Sequence, residues 1–171
     1  MDRYCKQRPN DSAALHLFAL VCERSQQLQL ALELVTRSIG ILERAYEESE
    51  DPLTEEHYAL ANGTLGRLKL AMGDFQGALD VFEIALGLSS SESESPRTKT
   101  MRALCQFGCG IANFRLDKLE EALQVFEICL TELPVEMTTV RGHVTVLLAQ
   151  TLWALGSAEA QETARGQLLE W

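Results

Sequence analysis

The residues best equipped for chemistry are few and scattered. Cys105 and Cys109 are four positions apart, so on a helix their thiols lie one turn from each other and could share a soft metal ion. A closed zinc site takes about four such ligands, and no second pair accompanies them. Packing as small hydrophobes is the favoured reading. His16, His57 and His143 are far apart, and none stands one helical turn from another ligand type. The segment "FGCG" (Phe107 to Gly110) lies within a helical pattern and carries no lysine, unlike a loop that cradles phosphate. The expectation is therefore no catalytic set, no metal and no cofactor.

Three weaker signals remain. Ser89 and Ser91 each have a glutamate three positions downstream, Glu92 and Glu94, a context that acid-directed kinases accept. The run Glu47, Glu48, Glu50, Asp51, Glu55, Glu56 reads as a solvated face before it reads as a site for a basic partner. Asn62-Gly63-Thr64 matches a glycosylation acceptor, but it falls in mid-helix and is read as chance.

Bulk properties narrow the classes. The chain has 171 residues, 46% hydrophobic and 23% charged, with a net charge of -10. Length and composition suit one soluble domain with a sizeable core. The negative balance argues against a general grip on nucleic acid, although Arg67, Arg97, Arg102 and Arg115 could gather locally. Five cysteines are an odd count for a disulfide framework. With no membrane-length apolar run and no signal-peptide pattern in "MDRYCKQRPND", a reducing, cytoplasmic setting is expected.

What positions these residues is a repeat. "LALELVTRSI" (Leu30 to Ile39), "GALDVFEIAL" (Gly77 to Leu86) and "EALQVFEICL" (Glu121 to Leu130) superpose without a gap. Each opens with Ala-Leu at Ala31, Ala78 or Ala122, continues to an apolar residue at Val35, Phe82 or Phe126, and then to a small one at Ser38, Ala85 or Cys129. Twelve residues before each alanine stands another small residue, Ala19, Gly66 or Gly110. Small residues let two helix backbones cross closely, and the phenylalanines are expected to fill space against the next helix. A looser fourth copy has Ala149 at the small position and, allowing an insertion after Gly156, Ala164 opening its second helix.

This pattern resembles the tetratricopeptide repeat, a helix-turn-helix unit of about 34 residues, and Pro134 falls where that family often has proline. Ala31, Ala78 and Ala122 are 47 and 44 residues apart, so the repeats are elongated. The resemblance implies an all-α fold: a right-handed solenoid of antiparallel helix pairs, forming a single domain over residues 1–171. Its repeats fall at about 12–50, 54–90, 97–134 and 136–171. Helices are expected near 12–25, 28–49, 54–72, 75–88, 97–116, 119–133 and 136–155, with an eighth at 159–170 if the last copy is real.

In that family, ligands lie in a concave groove lined by first helices. Position by position the groove residues are His16, Leu20 and Glu23, then Gly63, Arg67 and Leu70, then Phe107, Ile111 and Phe114, and finally His143, Val146, Gln150 and Trp153. Phe107, Ile111, Phe114 and Trp153 exceed what packing within a repeat needs, and so could form an apolar patch that holds a partner. The lysines and asparagines that clamp a chaperone's terminal carboxylate are absent from these offsets.

The stretches "LANGTLGRLKLAMGDFQGALDVFEIALGL" and "RGHVTVLLAQTLWALG" resemble the scaffold-subunit family of the fungal superkiller complex, long solenoids of which this chain would be a piece. The resemblance implies a non-catalytic scaffold, with an RNA helicase and a WD-repeat protein as partners, serving exosome-mediated RNA decay in the cytoplasm. A cargo or peptide adaptor of kinesin-light-chain type is the alternative, although that family's paired asparagines are missing: Asn62 and Asn113 are isolated. Terminal helices without polar caps would also allow self-association.

Overall fold

The computed structural model describes residues 10–49, 51–88, 96–156 and 158–169. All regular structure among them is helical: α1 (Ser12–Arg24), α2 (Leu28–Ser49), α3 (Pro52–Ala71), α4 (Phe75–Leu88), α5 (Pro96–Arg115), α6 (Leu119–Glu132), α7 (Thr138–Leu155) and α8 (Ala158–Leu169). The eighth helix is present, and every boundary lies within two residues of its expected place. Pro52 opens α3 instead of preceding it by two residues. Asp51 caps this helix, accepting from Thr54 N at 2.9 Å, and a first-turn proline loses no helical hydrogen bond.

Short turns join the helices in antiparallel pairs, α1/α2, α3/α4, α5/α6 and α7/α8. Every turn holds one residue of left-handed backbone: Gln26, Gly73, Asp117 and Gly156. In the first three, the amide three residues past the helix donates back five residues, from Gln27 to Cys22, from Asp74 to Lys69 and from Lys118 to Asn113, each at 2.9 Å. This loop closes the first helix and aims the second back along it.

The chain divides into two compact units, Met1–Ser93 and Glu94–Trp171. The core of the first gathers Leu15, Ala19, Ala31, Val35 and Leu68. That of the second gathers Ala122, Phe126, Val144, Leu148 and Ala164.

Within the pairs, size is matched across the helix crossing. Phe82 lies directly over Gly66, and Phe126 over Gly110, so that a Cβ at either glycine would run into the ring. Where the first repeat has Ala19 instead of glycine, it has Val35 instead of phenylalanine, and both are fully buried. The rings therefore serve their own pair first, a role that packing against the next helix alone does not capture. Phe126 does both, since it shares its cluster with Val144 and Leu148 of α7.

A second device recurs at the small position. Ser38 Oγ donates to Ser12 O at 2.8 Å, and Cys129 Sγ donates to Ala103 O at 3.3 Å. Burial first, then the Glu132 charge, pushes the Cys129 thiol up to about 12, with Arg141 opposing. Arg141 itself donates to the carbonyls of Leu130 and Leu133 at 2.8 and 3.0 Å, holding the end of α6 where no helical partner exists.

Candidate protein-binding surface

The groove positions of the first unit meet each other. The Thr64 hydroxyl donates to Leu60 O at 3.1 Å, which leaves its oxygen to accept from His16 Nε2 at 2.9 Å. One turn along, Arg67 grips Glu23 with two bonds, Nη2 to Oε2 at 2.9 Å and Nε to Oε1 at 3.3 Å. Leu20 and Leu70 are half-buried, and Gly63 is buried. The His16–Thr64 and Glu23–Arg67 bonds therefore tie α1 to α3, while His16, Leu20 and Arg67 present part of their surface to solvent.

The second unit uses the same positions differently. Phe107, Ile111 and Phe114 are half-buried against the unit's core, and the Phe107 ring lies 6.3 Å from that of Phe126. The expected apolar patch is thus reduced, because three of its four members are largely spent on packing within the unit. Trp153 remains half exposed. With Val146, Ala149, Gln150, Ala164 and Arg165 it lines an open pocket of about 250 Å³ between α7 and α8. The Arg165 guanidinium lies over the indole, 5.9 Å from the ring centroid, an arrangement that attracts cation to π-face. His143 is exposed on α7.

Sequence reasoning missed Thr64 and Arg165 as members of these surfaces. A signal for Arg165 existed: it follows Ala164 where the other repeats have Leu32, Leu79 and Leu123. A charge at a position otherwise apolar marks a site without the usual neighbour.

The other chemical candidates have packing roles where they can be described. Cys105 and Cys109 are buried, and Cys105 Sγ lies 3.4 Å from Met101 Sδ. Among the described residues no group of three or more His, Cys, Asp or Glu is arranged to hold a metal. Asn62 is buried and its Nδ2 donates to Tyr58 O at 2.9 Å, which withholds the amide from modification. Tyr58 donates to Glu43 Oε1 at 3.3 Å; burial, then the Glu43 charge, pushes its phenol up. Arg67 and Arg102 face the carboxylates of Glu23 and Glu132, which lowers their availability to phosphate. Ser89, Ser91, Glu50, Glu92 and Glu94 lie outside the described residues. No described helix is long and apolar enough to cross a membrane.

No family model matches the sequence. It is similar to Superkiller protein 3 of Schizosaccharomyces pombe, 33% identical over 168 residues, covering 98% of this chain. It is similar also to Superkiller protein 3 of Saccharomyces cerevisiae, 29% identical over 90 residues, covering 53% of this chain. The matched parts amount to 12% and 6% of those two proteins. Among solved structures, TPR-like repeats from Podospora anserina described as a kinesin light chain superpose with a TM-score of 0.65 at 21% identity, over 93% of this chain and 74% of that one.

Proposed function

We propose that this chain, a tetratricopeptide-like repeat protein that resembles Superkiller protein 3, is a non-catalytic section of a scaffold that holds other proteins together. All of residues 1–171 form one run of repeats in this reading. The carrying observation is the alignment with the Schizosaccharomyces pombe protein, which at 33% identity runs through 98% of the chain. The scaffold would belong to a superkiller-type assembly of the cytoplasm, with an RNA helicase and a WD-repeat protein as partners and exosome-mediated RNA decay as the process. Direct contact with nucleic acid is not part of the reading, given the net charge of -10.

The likeness to kinesin-light-chain repeats concerns fold alone, and a cargo or peptide adaptor is the competing reading. Affinity chromatography of cytosolic extract on the immobilised chain separates the two. Retention of an RNA helicase together with a WD-repeat protein, reduced on a column carrying Arg67→Glu and Trp153→Ala, is the expected outcome. Retention of motor heavy chains or vesicle cargo in their place would transfer the assignment to the adaptor, and retention of neither would leave the scaffold reading without support.

A further inference from the structure

We draw no further inference here: the strongest candidate, the surface patch at the end of α2 and the start of α3 where the Tyr46 and Tyr58 rings lie 6.2 Å apart beside Glu43 and Glu47, rests on a cluster of acidic side chains, and nothing in the structure shows what covers it.

Discussion

The first and third repeats share a backbone plan and spend it differently. At the seat for the next first helix, α1 offers His16 and Glu23 to polar partners on α3, whereas α5 offers Phe107, Ile111 and Phe114 to an apolar core. At the crossing within the pair, the first repeat sets Ala19 against Val35, and the third sets Gly110 against Phe126. Such a repeat thus requires summed volume and closeness of approach, not particular side chains. The family's binding offsets therefore do not by themselves identify a binding site, because packing between helices takes many of them first.

The largest test of this difference is truncation at the crossing. Phe126→Ala removes a fully buried ring shared by α5, α6 and α7 and should cost about 3–5 kcal/mol, the usual range for buried phenylalanine. Val35→Ala deletes less volume and should cost clearly less. Urea denaturation of each variant compares the two; equal losses would mean that the crossings do not differ in how much they carry.

Next in size is the glycine beneath the ring. Gly110→Ala forces Phe126 to shift and should cost about 1–3 kcal/mol from overpacking, although alanine is by itself the better helix former by about 1 kcal/mol. The informative measurement is the cycle with Phe126→Val, which rebuilds the Ala/Val crossing of the first repeat. Alanine at 110 should be tolerated, or even favourable, once valine replaces the ring. Simple additivity would refute the claim that the two positions are matched in size.

The spacing of Ala31, Ala78 and Ala122, and of their partners Ala19, Gly66 and Gly110, made the helix pairs legible because close crossing restricts both positions to small residues. The left-handed turn residues were half legible. Gly73 announces itself, but Gln26 and Asp117 adopt the same backbone against their intrinsic preference, held by the amides that close each turn. The bonds from Ser38 and Cys129 to helix carbonyls were hidden, since a small residue there reads simply as small. Least legible was the state of the seats. Phe114 and Trp153 occupy equivalent positions, yet Phe114 is half-buried against its unit's core and Trp153 is half exposed.

Smaller effects should separate the two seats. Arg67→Ala removes a partly exposed ion pair and should cost about 0.2–1 kcal/mol, shrinking further in high salt. Phe114→Ala, half-buried, should cost about 1–2 kcal/mol, roughly half of the fully buried value, with little response to salt. Melts at low and high ionic strength distinguish them. A salt-insensitive loss at Arg67 would show that its stem packs more than its charge binds.

The smallest difference lies in the turns. Asp74 heads α4, accepting from Gly77 N at 3.0 Å and from Lys69 Nζ at 2.6 Å. The hydrogen bond from Lys69, then that from Gly77, holds its carboxyl below the usual carboxylate range. A group depressed in the folded state stabilises it above the carboxyl's ordinary pKa, and the contribution fades as pH falls through the lowered value. Asp74→Ala should therefore melt below the parent chain at pH 7, with the gap narrowing on acidification toward pH 3. The equivalent residue before α6 is Lys118, which makes no capping bond. Lys118→Asp can supply one and should stabilise the second unit by about 0.5–1 kcal/mol, the neighbouring Glu120 and Glu121 holding the gain to that low end by like-charge repulsion. If the aspartate instead destabilises at neutral pH but not once protonated, that repulsion outweighs the cap, and the turns of the two units are not interchangeable.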